Sequence, residues 1–312
     1  MKFGVHVSIT GSIDLAIDRA STIGCDTFQI FTRSSRSWAA KPLDEKSIQL
    51  FKDKKEEKKF SEIVVHMPYL PNLASSEEPT YGKSVETLVS EVQRCDSLDV
   101  QYLVLHLGSH KGAGLKKGQE QLLGALETAL QVEHSVMILL ENSAGTKNSI
   151  GSDFKDIGYV MDNLSDISNI GICFDTCHAF AAGYDLRTGS KVTKTLEEFD
   201  SNIGLSKLKV VHSNDSTGFL GGGRDNHQHI GLGYIKEEGF RRIVEKFPKV
   251  PFILETPLDE VRDDVGNLWK IRYLAGERPD DLPNDYKSSY DGKPRALSLD
   301  KEKKKLKTKK LL

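Results

Sequence analysis

Apolar residues along this chain fall into short runs of about four to six, spaced roughly 25–43 residues apart. The runs lie at 3–7, 27–31, 63–66, 102–106, 136–141, 171–175, 208–212 and 251–255. Each is rich in Val, Ile, Leu or Phe and lacks strict alternation with polar residues. That suits strands of a parallel sheet buried on both faces. Between the runs the period changes. Across 115–130, Leu122, Leu123, Leu126 and Leu130 recur at helical spacing, with Lys116, Lys117, Gln119, Glu120 and Glu127 on the other side. Segments 44–58, 84–98, 153–163, 236–247 and 259–273 read the same way. Eight strands alternating with about eight helices predict an α/β architecture, a single-domain (β/α)₈ TIM barrel. The alternative is a doubly wound open sheet. The turn after its first strand would normally be a glycine-rich phosphate loop, whereas here it reads Ser8-Ile9-Thr10-Gly11. Periodicity stops after about Ala275. The barrel is therefore expected over 1–277. A C-terminal extension over 278–312, with Pro279, Pro283 and Pro294, is expected to be largely disordered.

Composition narrows this picture. Of 312 residues, 38 % are apolar, enough for a sizeable core. No apolar run approaches the roughly 20 residues that cross a bilayer, so no membrane partner is expected. The start of the chain lacks a signal-peptide apolar segment. Cys25, Cys95, Cys173 and Cys177 form neither a CxxC pair nor a disulfide framework, which fits a reducing compartment. The formal net charge of −2 argues at first sight against a nucleic-acid protein. The charge is uneven, however. Residues 301–312 carry seven Lys and one Glu, leaving −8 on residues 1–300.

What ends the strands is more informative. Seven of the eight runs end in, or carry near their end, a potential metal ligand or proton carrier: His6, His66, His106, Glu141, Asp175, His212 and Glu255. In a parallel barrel all strand C-termini open on one face, so these side chains converge. A lone buried carboxylate is costly, and Glu141 and Glu255 each close an aliphatic run that would bury them. More ligand types follow at once. His178 lies three residues after Asp175, and Asp225 and His227 follow a glycine-rich loop. The competing view of Asp175 is a helix cap, and a single strand-end His is often a satisfied core residue. His6 and His229 are open between ligand and core roles, while His110 and His134 read as surface or supporting residues. Nine plausible ligands are too many for one ion and suit two or three. Imidazole and carboxylate without thiolate favour Zn²⁺, with Mn²⁺ or Fe²⁺ compatible.

The segments His66-Met-Pro-Tyr-Leu, Leu105-His-Leu-Gly-Ser-His, Leu140-Glu-Asn-Ser-Ala-Gly, Phe174-Asp-Thr-Cys-His-Ala-Phe-Ala-Ala-Gly-Tyr-Asp, His212-Ser-Asn-Asp-Ser, Arg224-Asp-Asn-His and Leu254-Glu-Thr-Pro together resemble the endonuclease IV family. The resemblance runs from residue 1 to about 275. It implies three zinc ions per chain, with Mn²⁺ admitted at one site. By carry-over His66 and His106 hold one ion and Glu141 bridges to a second. Asp175, His212 and Glu255 complete the second, and His178, Asp225 and His227 hold the third. It further implies a zinc-dependent hydrolase acting on double-stranded DNA, cleaving 5′ to abasic sites and clearing blocked 3′ ends in base excision repair. Glu141 and Glu255 would be the catalytic carboxylates around a metal-activated water.

Arg36, Tyr69 and Leu70 occupy the family's DNA-penetrating positions, although Leu70 could instead anchor its loop in the core. Ser34 and Met67-Pro68 depart from the pattern expected there. A monomer is expected, cytoplasmic and nucleoid-associated in a prokaryote or nuclear in a eukaryote. The enzyme alternative is a one-metal sugar isomerase or epimerase on a related barrel, for which Glu141, Asp175, His212 and Glu255 would suffice. A non-catalytic damage-binding protein is the third reading. The lysine run is open among a solvated tail, a non-specific DNA contact and a nuclear targeting signal. Three Zn²⁺ would add +6, taking the −8 of the body to about −2.

Overall fold

The computed structural model describes residues 1–277, and the extension expected over 278–312 lies outside the described residues. In chain order the elements are β1 (Lys2–Val5), α1 (Leu15–Ile23), β2 (Phe28–Ile30), α2 (Glu45–Glu57), β3 (Ile63–His66), α3 (Glu78–Ser97), β4 (Tyr102–His106) and α4 (Leu115–Leu130). There follow β5 (Met137–Glu141), α5 (Phe154–Asp162), β6 (Ile170–Asp175), α6 (Thr176–Ala182), α7 (Gly189–Asn202) and β7 (Leu208–His212). The chain continues through β8 (Asp215–Ser216), β9 (His227–Gln228), α8 (Lys236–Lys246), β10 (Pro251–Leu254) and α9 (Asp264–Leu274).

Eight strands pair in parallel in the order β1-β10-β7-β6-β5-β4-β3-β2. The two end strands meet at a parallel bridge between His6 and Gln29, where the Val7 N–H donates to the Gln29 carbonyl at 2.8 Å. The fold is thus a TIM barrel, and helices cover its outside. Gly4 permits the closure, because a Cβ there would lie 1.7 Å from the Thr27 carbonyl oxygen. β8 and β9 form a separate antiparallel hairpin that sequence periodicity did not predict.

The barrel interior holds a small apolar layer of Val64, Val104, Leu139, Cys173, Val210 and Ile253, all fully buried. Each comes from a different strand. Branched side chains of this size fill a barrel of eight strands without leaving a pore. Fully burying one Val, Leu or Ile contributes roughly 1.5–3 kcal/mol. The larger cluster, including Phe28, Phe154, Phe174, Phe199 and Phe252, lies between the strands and the helices.

Element boundaries differ from the sequence reading in ways with physical causes. The first two runs overshoot their strands: the ladder stops at Val5 and Ile30, and His6, Val7 and Phe31 follow it. α3 begins at Glu78, well before residue 84, with Pro79 in its first turn where no N–H is missed. α9 begins at Asp264 rather than 259, because Asp263 caps it by accepting from Gly266 N–H. α1, α6 and α7 were not picked out in the sequence; α1 buries only Ala16, Ile17 and Ala20, whereas α7 buries Val192, Thr195, Leu196 and Phe199 at helical spacing. The α4 stripe centres on Leu122, Ala125, Leu126 and Ala129, with Leu123 and Leu130 only partly buried. Among the described residues no helix is long and apolar enough to cross a membrane.

Candidate metal centre

Strand geometry explains why polar groups collect at one mouth of the barrel. Side chains two residues apart on a strand share a face. Two residues beyond the inner-layer side chains Val64, Val104, Leu139, Cys173, Val210 and Ile253 come His66, His106, Glu141, Asp175, His212 and Glu255. An apolar floor and a polar rim are therefore written into each strand as an i, i+2 pair. Strand register sets the rim residues side by side: His106 pairs with Glu141, and Asp175 with His212.

Three remaining donors arrive by other routes. Asp175 ends β6 and caps α6 by accepting from the His178 N–H at 2.7 Å, which turns His178 toward the rim. The cap and the rim position of Asp175 are therefore compatible. Asp225 and His227 return on the β8–β9 hairpin. Buried Asp215 pins the far side of that loop by accepting from the N–H groups of Ser216, Gly231, Gly233, Ile235 and Lys236. Gly233 has no room for a Cβ, which would lie 2.4 Å from Asp215 Oδ1.

The nine side chains fall into three groups whose donor atoms lie within 4.8 Å of one another, and two overlapping sets bring Cys173 beside Glu141 and His212 and Cys177 beside Asp175 and His227, although burial pushes both thiols up to about 12 and so keeps them protonated. The first is His66, His106 and Glu141; the second Glu141, Asp175, His212 and Glu255; the third His178, Asp225 and His227. Glu141 links the first two. Its Oε2 lies 3.2 Å from His66 Nε2 and 3.1 Å from His106 Nε2, while its Oε1 lies 3.0 Å from His212 Nδ1. Asp225 sits between His178 Nε2 at 3.2 Å and His227 Nε2 at 2.9 Å. Glu141 is 1 % exposed and Asp175 fully buried, whereas Glu255 is 15 % exposed.

Hydrogen bonding shows which imidazole nitrogens are available. His66 Nδ1 donates to the Met67 carbonyl at 2.7 Å, His178 Nδ1 to the Asn142 carbonyl at 2.9 Å, and His227 Nδ1 to the Glu255 carbonyl at 3.0 Å. His212 is tied through Nε2, which donates to Gln29 Oε1 at 2.8 Å. In each ring the tied nitrogen carries the proton, so the other presents a lone pair to carboxylate oxygens. Lone pair against carboxylate is repulsive unless a proton or a cation lies between. His227 Nε2 is the clearest instance. It is buried and makes no hydrogen bond, although Asp225 Oδ1 lies 2.9 Å away. A second ring nitrogen locked by an acceptor is the arrangement found for metal-ligating histidine. The residues present therefore fit divalent ions, and the oxygen and imidazole donors suit Zn²⁺.

The electrostatics agree. Burial raises the cost of charge on Glu141, yet the facing His212 and His106 outweigh it and hold the carboxyl well below its usual range. Burial likewise opposes charge on His178 and His212, but their neighbours, Asp175 foremost for His178 and Cys173, Glu255 and Glu141 for His212, carry both well above the usual imidazole value. His227 is held to about 9 against burial, chiefly by Asp225 and Asp175. Asp175, the most deeply buried, is pushed up by desolvation. The pocket is thus a set of anions that demands positive charge.

Other expected residues fall elsewhere. His6 and His229 join none of the groups among the described residues. Burial takes His6 down to about 4, consistent with a neutral ring packed 4.4 Å from Phe31. His229 bonds Asp259 and Asn267 instead. His110 Nδ1 accepts from Gly112 and Gly114 N–H ahead of α4, and His134 lies away from the rim. Arg36 is exposed on the loop after β2, and Tyr69 N–H bonds the Ser35 carbonyl of that loop at 3.2 Å. The Tyr69 ring packs 5.3 Å from Phe31, 5.9 Å from His66 and 6.2 Å from His106, and is 56 % exposed. Leu70 is 39 % exposed, so it does not anchor its loop in the core.

Three supporting residues escaped the sequence reading. Asn142 accepts from Asp175 N–H at 2.7 Å and donates to the Asp175 carbonyl. Asn214 donates to Asp175 Oδ2 at 2.7 Å and accepts from Glu255 N–H. Gln29 bonds Glu255 and His212. The two Asn were detectable, since each lies within two residues of a strand-end ligand; Gln29 had no such marker.

Comparison with known proteins places this geometry. The chain matches the family model described as xylose isomerase-like TIM barrel over residues 17–275. It is 50 % identical over 277 residues to the probable endonuclease 4 of Methanoculleus marisnigri, covering 88 % of this chain and 98 % of that one. It is 50 % identical over 280 residues to the probable endonuclease 4 of Nitrosopumilus maritimus, covering 88 % and 100 %. The crystal structure of endonuclease IV from Thermus thermophilus superimposes with a TM-score of 0.77 at 32 % identity, covering 88 % of this chain and 98 % of that one.

Proposed function

The chain belongs to the endonuclease IV family of nucleases, and from that premise we propose that it hydrolyses the phosphodiester 5′ to an abasic site in double-stranded DNA. The products are a 3′-hydroxyl and a 5′-deoxyribose phosphate, as base excision repair requires. The observation that carries the reading is the grouping of nine oxygen and imidazole donors into three adjacent sets joined through Glu141. His66, His106 and Glu141 hold the first zinc; Glu141, Asp175, His212 and Glu255 the second; His178, Asp225 and His227 the third, with Mn²⁺ admitted at one. Bound there, the ions supply Lewis acidity, which lowers the pKa of water from ~15.7 toward ~7 and offsets the phosphodiester charge.

The protein's own residues do the rest. Glu141 holds two donor groups in fixed relation, one oxygen to each. Glu255 is the most accessible carboxylate of its group and takes the proton of the attacking water at Oε2. Tyr69 lines the rim beside His66 and His106, with exposed Leu70 next to it and exposed Arg36 on the loop that Tyr69 bonds, and an aromatic and an aliphatic side chain can fill the gap left by a missing base. The same phosphate-centred chemistry on a strand end removes 3′ blocking groups.

The test is metal content and abasic-site cleavage measured on one purified sample. About three ions per chain, loss of cleavage on verified stripping, and recovery with Zn²⁺ are expected. Undiminished cleavage after stripping overturns the proposal. A stoichiometry near one favours the isomerase alternative, which leaves His66, His106, His178, Asp225 and His227 without a task.

A further inference from the structure

β2 is the barrel strand whose rim position carries an amide, Gln29, in place of an imidazole or carboxylate. Gln29 is fully buried, and both polar atoms of its side chain are engaged. Nε2 lies 2.7 Å from Glu255 Oε1 and 3.0 Å from His6 Nδ1, and Oε1 lies 2.8 Å from His212 Nε2. These partners fix the amide's orientation. Glu255 can only accept, so the NH₂ group must face it; the carbonyl oxygen then faces His212. Two protonation assignments follow from that one choice. His6 must accept at Nδ1, so its proton is on Nε2. His212 must donate from Nε2, so its Nδ1 lone pair is free and aimed at Glu141 Oε1 at 3.0 Å, Glu255 Oε2 at 3.3 Å and Asp175 Oδ2 at 4.0 Å.

We infer that Gln29 is a positioning residue for the central metal. Its amide selects the His212 tautomer and orients Glu255, aligning two of that ion's four ligands while making no contact with the ligand donors of the other two groups. The inference rests on the three-ion reading above and assigns a task to a strand that supplies no ligand. The Gln29 carbonyl is the acceptor that holds His212 Nε2. Without the amide His212 is free to take the other tautomer or to rotate, and Glu255 Oε1 loses its 2.7 Å hydrogen bond, leaving Oε2 with the 3.4 Å bond from Asn214 and the 3.3 Å approach of His212. Outer-shell partners of this kind are worth about 10- to 100-fold in metal affinity when removed.

The experiment compares the full-length chain with Gln29→Met, which keeps the volume and removes the hydrogen bonds, and with Gln29→Glu, which sets a carboxylate against Glu255. Each protein, fully loaded with Zn²⁺, is titrated with graded chelator, and the ions retained per chain are counted. Metal-free melting temperatures and ¹⁵N-histidine spectra are recorded alongside. The expected result is that both variants release one ion of three at about 10- to 100-fold lower chelator activity. Two ions are held as in the wild type, the metal-free melting temperature of the Met variant is little changed, and the signals of the two histidines that bond Gln29, His6 and His212, are altered while those of the other rim histidines are kept. Release of all ions at the wild-type chelator activity overturns the inference. So does uniform weakening of all three together with a lower melting temperature, which would be a merely structural effect. A wild-type chain that retains one ion overturns the three-ion reading itself and the inference with it.

Discussion

Replacing Tyr69 and Leu70 together by Ala separates DNA recognition from the metal centre, and its size can be worked from exposure. Tyr69 is 56 % and Leu70 39 % exposed, so much of each side chain is available to a partner and adds little to folding. Stacking of a nucleobase on an aromatic ring is worth about 1–3 kcal/mol by Ala substitution. Fully burying a Leu side chain is worth about 1.5–3 kcal/mol, and Leu70 has roughly two-fifths of that still to gain. The double variant should therefore lose about 2–4 kcal/mol of binding, roughly 30- to 700-fold in Kd at 1.4 kcal/mol per factor of ten. The cost to the fold is smaller, because Tyr69 gives up an edge contact to Phe31 and a tilted one to His66, of a kind worth about 0.5–1.5 kcal/mol. The assay is binding to a duplex carrying a stable abasic analogue, with metal content and melting temperature measured on the same sample. Unchanged affinity refutes the rim assignment. A fall in metal content or melting temperature that accounts for the lost affinity refutes it equally.

Four further outcomes test the rest. Glu141→Gln removes the charge shared by two donor groups, and should cut retained metal from about three ions to one and reduce cleavage at least a thousandfold, read by metal analysis and single-turnover rates (about 4 kcal/mol of barrier). In the metal-free protein His227 is held to about 9, so the stability it adds is fully present below its unfolded value of about 6.5 and is lost as pH rises through about 9. Metal-free melting temperatures of wild type and His227→Ala should therefore converge between these pH values, and parallel curves would contradict the pairing with Asp225 and Asp175. Glu91 is fully buried between Arg33 and Thr32, with Arg94 alongside, and Glu91→Ala leaves Arg33 buried without its counter-charge. About 3–5 kcal/mol of stability should be lost by denaturant unfolding, and less than 1 kcal/mol would rule out a buried ion pair. Gly4→Ala places a methyl against the Thr27 carbonyl at the barrel seam and should cost at least 1–3 kcal/mol in the same assay, a neutral result meaning that the seam is open.

Much of this architecture was legible in the sequence, and the reasons are local. A strand buried on both faces must be a short apolar run, so β3, β4 and β7 could be bounded to the residue. A carboxylate closing such a run, as in Ile-Leu-Leu-Glu141, must meet a cation, which made the rim visible without any view of space. What stayed hidden depends on tertiary context. α1 is held by mostly small side chains, Ala16, Ile17 and Ala20, whose stripe only the barrel surface reveals, whereas the Val192, Thr195, Leu196 and Phe199 stripe of α7 has helical spacing and was legible in principle. The β8–β9 hairpin exists because Asp215 collects five N–H groups, an arrangement with no periodic trace. Gln29 is an ordinary amide in an ordinary strand, and its importance appears only when its neighbours across the barrel are known. His6 stayed open between ligand and core in the sequence, because strand position cannot say which nitrogen is already occupied.

The fold cannot separate a nuclease from an isomerase, since the matched family model is described by its likeness to an isomerase barrel while the close relatives are endonucleases. The donor count does so on energetic grounds. A one-metal enzyme needs Glu141, Asp175, His212 and Glu255, and would have reason to keep the surrounding wall apolar. Here His66 and His178 are almost fully buried, each with one nitrogen committed to a backbone carbonyl and the other facing a carboxylate. Burying such polar groups is unfavourable unless something satisfies them. Protons could satisfy them only by charging imidazoles in a desolvated wall, for which an isomerase has no use. Two further cations would satisfy them and, on the proposed function, would offset the −8 carried by the first 300 residues where a polyanion is to be held. Four of the acidic residues that argued against DNA are those that would bring the positive charge.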